Sequence, residues 1–374
     1  MEGTKPRTAS SLGMFDLLKG VGMLLIVFAH TSELYPVGDV STITPVTFFL
    51  FAYRESLMAA FYIASGYGFR KRSIGKCISQ QFKTLFKPYA YTGLATTIAH
   101  FVIHYKTFGN WNNAVYETYK VLGGFVLGLP HTATYFGQEF FSCGPMWYLL
   151  ALMIGWILLD ILLNVFPESY IKWAVLGTML LGWGISLVWE APFCIAQGMV
   201  TVPYLYIGFL AKKKRLFEKK FRPLAILGLL AAALGVALGV LLTGKTDCVS
   251  LGEWTMGPVS ILLDGIVGLG FIVLFMKAQR LLDNPVTHLI EAVGRRSLYI
   301  FCIHTVELTA VPWYLMVQKY AAAPTKGLWL QYAVSLGSIF LLCEILLRRR
   351  DVMLKFFPAR RRHFAEHRRY VAKH

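Results

Sequence analysis

The sequence predicts an all-α, polytopic integral membrane protein of about ten transmembrane helices, with both termini cytoplasmic. Three observations predict it. The chain is 56% hydrophobic and 15% charged, where a soluble domain carries about 25% charged residues, and its mean hydropathy is +0.54. Several apolar runs reach the ~20 residues that cross a bilayer core. They are continuous rather than alternating at period two, which excludes a closed β-barrel. The net charge of +17 sits in short segments between runs, in alternate loops, as positive-inside sorting requires. That distribution assigns the charge to topology and to anionic lipid of the bilayer, and argues against a nucleic-acid partner.

The expected spans are 14–35, 46–69, 86–105, 145–164, 171–190, 196–211, 222–243, 256–276, 297–318 and 328–347. The first is too long for a signal-peptide core, carries Asp16 and Lys19, and has no small-residue cleavage site after it, so it reads as a retained span. The second closes on Ser65-Gly66-Tyr67-Gly68-Phe69-Arg70-Lys71-Arg72, where small residues permit a close helix approach and three cations follow. Lys76, Lys83 and Lys87 continue the basic segment up to Pro88. Lys106 to Gly144 is the longest outer loop, and its apolar piece Val121 to Pro130, followed by His131, predicts a re-entrant or interfacial helix.

The span 196–211 is short and holds Gly198, Pro203 and Gly208, so it is expected to be tilted or broken. A second basic cluster follows at Lys212 to Arg215 with Lys219, Lys220 and Arg222, and a third at Arg348 to Arg350. The division is a cytoplasmic segment 1–13, a transmembrane domain 14–347 and a basic cytoplasmic tail 348–374. No soluble domain and no inverted repeat is expected. Six cysteines lack metal-ligand spacing, so no metal is expected; Cys143, Cys194 and Cys248 fall in outer loops where a disulfide is allowed without being dictated.

The chemistry concentrates on the first span. Lys19 and His30 are eleven residues apart, three helical turns plus about 20°, so they share a face with a rise of roughly 16 Å between them. Asp16 lies within about 40° of the same line. A histidine in a membrane helix is often satisfied by a neighbouring helix. Its alignment with a cation and an acid shifts the reading towards function, because titratable groups in a span are costly and face a bundle interior. A neutral imidazole there can take a proton from an attacking alcohol or amine, or carry an acyl group itself.

Other polar groups at membrane depth form weaker sets. Arg54 and Glu55 enter the second span at a depth like that of His30, suiting either oxyanion or substrate contact or a neutral helix-locking pair. His304 and Glu307, three residues apart, share a helix face. Asp264 reads as a lone intramembrane acid. Trp147 and Tyr148 suit an interfacial aromatic belt better than a sugar platform.

Phe15-Asp16-Leu17-Leu18-Lys19 running to His30 resembles the signature of the acyltransferase 3 family, where an arginine, ten residues and a histidine occupy the first helix. Here Lys19 stands at the arginine position, keeping the charge without the planar fork. Phe61-Tyr62-Ile63-Ala64-Ser65-Gly66-Tyr67 with Lys87-Pro88-Tyr89, Gly144-Pro145-Met146-Trp147-Tyr148-Leu149, and Ser297-Leu298-Tyr299-Ile300-Phe301-Cys302-Ile303-His304 resemble further segments in the right order. The resemblance covers essentially the whole chain.

It implies transfer of an acyl group, commonly acetyl from cytoplasmic acetyl-CoA as cosubstrate. The acceptor would be a hydroxyl of an envelope glycan, lipid or small molecule at the outer face of a bacterial inner membrane. On that reading His30, with Asp16 and Lys19, carries catalysis, and Lys19, Ser65, Arg70, Arg72, Lys83 and Lys87 hold the acyl-CoA. Arg54, Glu55, Trp147, Tyr148, His304 and Glu307 face the acceptor. Some relatives carry a hydrolase-like or racemase domain; neither is expected here, so the chain would act alone or with a separate partner. The competing class is a secondary transporter or flippase, with His30, Asp264 and Glu307 as a proton relay.

Overall fold

A computed structural model describes residues 12–35, 45–219 and 223–356. Most of the 1–13 segment, Lys220 and Arg222, and the tail from residue 357 lie outside the described residues.

The chain forms α1 (Asp16–Glu33), α2 (Pro45–Ala52), α3 (Arg54–Tyr67), α4 (Ile74–Gln81), α5 (Lys87–Phe108), α6 (Trp111–Leu127) and α7 (Trp147–Val165). Then follow α8 (Glu168–Val188), α9 (Ile195–Lys213), α10 (Pro223–Thr243), α11 (Pro258–Leu281), α12 (Pro285–Arg295), α13 (Ser297–Ala310), α14 (Tyr314–Lys319) and α15 (Pro324–Phe356). The departures from an all-helical chain among the described residues are a small hairpin, β1 (Ala133–Tyr135) against β2 (Gln138–Phe140), and an isolated bridge between Cys248 and Glu253. The hairpin's two-residue turn, Phe136 and Gly137, has both φ angles positive, as a type I′ connection needs.

Among the described residues seven helices, not ten, are long and apolar enough to cross a membrane: Gly13–Glu33, Gly144–Val165, Glu168–Val188, Pro192–Lys213, Pro223–Thr243, Pro258–Leu281 and Pro324–Arg349. Three expected spans fail for separate reasons. The run 46–69 is two helices, α2 and α3, parted at Tyr53. The run 297–318 stops at Ala310, because Pro312 cannot continue the ladder, which leaves a short apolar helix. The run 86–105 does form one helix, but its histidines, tyrosines and threonines place it below the apolar helices that qualify.

The sixth expected span is not broken. Helix α9 runs unbroken through Pro203, and the turn before it, Pro192–Cys194, is set off by a kink at Phe193 and Cys194, both with positive φ. The apolar piece at 121–130 belongs to the end of α6, a helix capped by Asn110, whose side chain accepts from the Asn113 N–H, and closed by left-handed Gly128. Between α4 and α5 a π-helical turn, Phe82–Phe86, precedes Pro88; the Lys87 N–H bonds to Phe82 O, absorbing the register that the proline disturbs.

Glycines set how closely the helices meet. A Cβ on Gly66 would stand 2.1 Å from Leu205 O, and one on Gly208 2.0 Å from Ile63 O, so α3 and α9 cross backbone to backbone. The same holds for α1 and α12. A Cβ on Gly20 would lie 2.0 Å from Ile290 O, and one on Gly294 1.9 Å from Asp16 O. The core between these crossings is filled by Leu18, Val27, Ile63, Leu150, Leu159, Leu205 and Ile261. Both crossings hold α1 and α3 in fixed register, and those two helices carry most of the polar groups described next.

Candidate active site

Helix α1 presents Asp16 and Lys19 at one end and His30 near the other. Lys19 Nζ lies 2.9 Å from Asp16 Oδ1, and Arg295 Nη1 from α12 lies 3.8 Å from Asp16 Oδ2. Asp16 is buried, so these cations offset the cost of keeping an acid there. Asp16 therefore positions Lys19, and its distance along the helix keeps it from the imidazole.

At the other end, His30 Nδ1 lies 3.1 Å from His304 Nε2, with the rings stacked at 5.3 Å between centroids. His304 Nδ1 lies 3.2 Å from Glu307 Oε2, and Ser335 Oγ donates to Glu307 Oε1 at 2.7 Å. The chain joins α1, α13 and α15. The network assigns the protons: Glu307 accepts from His304 Nδ1–H, so His304 Nε2 is an acceptor and takes the Nδ1–H of His30. In that tautomer the Nε2 of His30 keeps its lone pair.

Beside this relay, Arg54 Nη1 pairs with Glu33 Oε1 at 3.2 Å, one turn beyond His30. Arg54 Nε stands 3.7 Å from Glu55 Oε1, too far for a hydrogen bond, and is buried without a partner among the described residues. Asp264 is not the lone acid the sequence suggests. Ser56 Oγ donates to its Oδ1 at 2.5 Å. Tyr148 is interior rather than in a belt: its ring lies 4.7 Å from Tyr62 and 6.0 Å from Phe301, and its hydroxyl meets Ser65. Trp147 packs edge-on against it at 6.3 Å.

At the lysine end Arg70 is exposed, and Lys212 stands over the Tyr67 ring at 5.9 Å. Arg72 is anchored by its backbone: its N–H donates to Asp160 Oδ1 at 2.9 Å, and its carbonyl accepts from Asn164 Nδ2 at 2.8 Å. Arg72 Nη1, Gln81 Nε2 and Trp156 Nε1 are all buried donors without partners among the described residues, and all three residues border Cys77. Lys83 and Lys87 are exposed on the π-helical turn and the start of α5. The six cysteines are free thiols, and no cluster of metal-ligating side chains occurs among the described residues.

The sequence reading missed Ser335, Gln81, Trp156, Asp247, Tyr62 and Tyr204 as polar participants. Each is a polar or phenolic group in or beside an apolar run, a signal too common to single one out.

Multiple apolar spans around a histidine–histidine–glutamate chain define a multi-pass membrane protein with linked titratable groups in its interior. The acyltransferase 3 family, described as an acyltransferase domain, matches residues 13–348, and the chain belongs to it. It is therefore a membrane-embedded enzyme of the O-acyltransferase type. No curated protein and no solved structure matches it.

Proposed function

We propose that the enzyme transfers an acyl group, acetyl in the first instance, from cytoplasmic acyl-CoA to a hydroxyl presented at the outer face of the cell membrane. The arrangement that supports this is the relay ending on the free Nε2 of His30. In the forward step the acceptor O–H gives its proton to His30 Nε2 while the oxygen attacks the thioester carbonyl. The C–S bond then breaks, and the CoA sulfur leaves with the proton returned from His30. His304 and Glu307 stabilise the imidazolium between these two events, as the orienting acid does in a catalytic triad. The guanidinium of Arg54, which pairs with Glu33 on the same helix as His30, would favour the tetrahedral oxyanion.

The CoA would enter at the lysine end. Lys19, Arg70 and Arg72 supply cations for its phosphates, and the unpaired N–H groups of Gln81 and Trp156 suit phosphate or amide oxygens. The roughly 16 Å rise from Lys19 to His30 matches the reach of an extended pantetheine arm. On this reading the lysine end faces the cytoplasm, as the basic clusters also suggest. The test uses purified protein, labelled acetyl-CoA and candidate acceptors. Acylated product should form with the native enzyme and vanish for a correctly inserted His30→Ala variant; transfer surviving in that variant would sink the mechanism.

A further inference from the structure

At the His30 end of the bundle, the connection between α6 and α7 meets the turn before α9, and each brings a buried cysteine there. Cys143 and Cys194 are both 0% exposed, and their thiols are in hydrogen-bonding contact with each other. Two consecutive carbonyls hold them in place. The Cys143 N–H donates to Leu129 O at 2.9 Å, and the Cys194 thiol donates to Gly128 O at 3.1 Å. The approach is close: a Cβ on Gly128 would stand 2.9 Å from Phe193 Cα. Phe193 and Cys194 are both left-handed, with φ of 58° and 54°, a conformation that non-glycine residues keep only where the surroundings impose it. Cys248, the third cysteine of this end, is engaged elsewhere, its Sγ 3.2 Å from Ser250 Oγ. Cys77, Cys302 and Cys343 lie on α4, α13 and α15.

Spacing along the chain admits more than one pairing of these outer-loop cysteines; the fold puts Cys143 and Cys194 in contact. We propose that Cys143 and Cys194 are a covalent modification site that closes as a disulfide, stapling the α6–α7 connection to the turn before α9. This rests on the orientation proposed above, which puts the His30 end outside, away from cytoplasmic reductants. The step is thiol–disulfide exchange with a disulfide donor. One cysteine thiolate attacks the donor's S–S bond and releases one donor thiolate; the other cysteine thiolate then displaces the second half from the mixed disulfide. Two S–H bonds are lost and one S–S bond forms, and the two electrons and two protons end on the two donor thiols. Neither cysteine is exposed in the folded chain, so exchange belongs to the stage before the two segments close on each other. The bridge closes a loop of about 50 residues, which restricts the unfolded chain. It also bears on the relay. A Cβ on Gly144, the residue after Cys143, would stand 3.2 Å from Thr309 Oγ1 and 3.6 Å from Thr305 Cγ2, and Thr305 follows His304. The staple thus fixes the start of α7 against the helix that carries the middle of the relay.

The test uses the full-length protein in intact cells. Free thiols are trapped with N-ethylmaleimide in denaturant before any reductant is added, and the digest is mapped by mass spectrometry. Most molecules should yield a peptide pair joined through Cys143 and Cys194, lighter by two hydrogens than its reduced parts. Cys77, Cys248, Cys302 and Cys343 should carry the label. Cys143→Ser should leave Cys194 fully labelled, and Cys194→Ser should do the same for Cys143. Either variant should melt about 5 °C or more below the wild type, with the double variant within about 2 °C of the singles, because each loses the same bridge. Full labelling of both cysteines in the wild type, linkage of either to Cys248, or additive losses of Tm would overturn the staple. A second measurement checks the orientation. Phe136 at the hairpin tip is 95% exposed, so Phe136→Cys should react with a membrane-impermeant maleimide added outside the cells. No reaction there would overturn the orientation on which the inference rests. Free Cys143 and Cys194 in cells whose tip does react would overturn the bridge itself, so the two failures are told apart.

Discussion

His30 Nδ1 and His304 Nε2 meet at 3.1 Å across 274 residues of chain, and this contact fixes which nitrogen of His30 is free. Glu307 fixes His304 in turn, with Ser335 holding the far carboxyl oxygen. The relay is directional, because His30 donates to His304 and His304 to Glu307. It converts the position of a single histidine into a defined tautomer.

Removing the middle of the relay should therefore damage chemistry more than binding. His304→Gln or Glu307→Gln is expected to lower kcat for acyl transfer by about 10²–10⁴-fold, the range seen when a general base loses its partner or its orienting acid. The KM for acyl-CoA should stay within a factor of about 3, since neither residue approaches the lysine end. Steady-state kinetics on purified variants checks this. A tenfold rise in KM with kcat unchanged would place His304 in donor binding instead.

At the opposite end of α1, Lys19 is half-exposed and held by Asp16 at 2.9 Å. Lys19→Ala should raise the KM for acyl-CoA about tenfold, equivalent to ~1.4 kcal/mol of binding, with little change in kcat. Asp16→Asn should act in the same direction but more weakly, because it frees the cation without removing it. Arg295 would then lose its contact with Asp16 as well. Isothermal titration with a non-hydrolysable acyl-CoA analogue separates affinity from turnover. An unchanged dissociation constant for Lys19→Ala would remove it from the donor site.

The face shared by Lys19 and His30 was legible because helical period is a local property, and so was the pairing of His304 with Glu307, three residues apart. The contact between the two histidines was not, since one chain carries no record of which helix faces which. Asp264 looked isolated for the same reason: its partner Ser56 lies 208 residues away. Membrane class was legible from composition, but the number of spans was overcounted. A hydropathy run cannot register a backbone break such as the one at Tyr53, where two short apolar helices abut. Pro312, by contrast, was a readable stop that the apolar run around it outweighed.

The Ser65-Gly66 segment gains a physical meaning from the α3–α9 crossing. Gly66→Ala and Gly208→Ala each place a methyl within 2.1 Å of a backbone carbonyl oxygen, which no side-chain rotation can relieve. Each should destabilise the folded protein by about 1–3 kcal/mol or more, read as a lowered Tm in a detergent-based unfolding assay. Gly75→Ala is the control, because nothing lies within 4 Å of its added Cβ. A Tm equal to wild type in Gly66→Ala would mean that the helices do not cross there.

The buried donors near Cys77 allow stability and binding to be set against each other. Gln81 Nε2 and Trp156 Nε1 are N–H groups with no acceptor among the described residues, and each such group costs the folded protein about 1–3 kcal/mol. If acyl-CoA oxygens satisfy them, the ligand recovers that cost on binding. Gln81→Leu should then raise the Tm of the ligand-free protein while raising the KM for acyl-CoA, and Trp156→Phe should do likewise. The ligand-induced rise in Tm should shrink in both variants. Opposite movement of Tm and affinity is the signature of a site that holds unpaired donors for its ligand. If both quantities fell together, the side chains would be packing elements with no role in binding the donor.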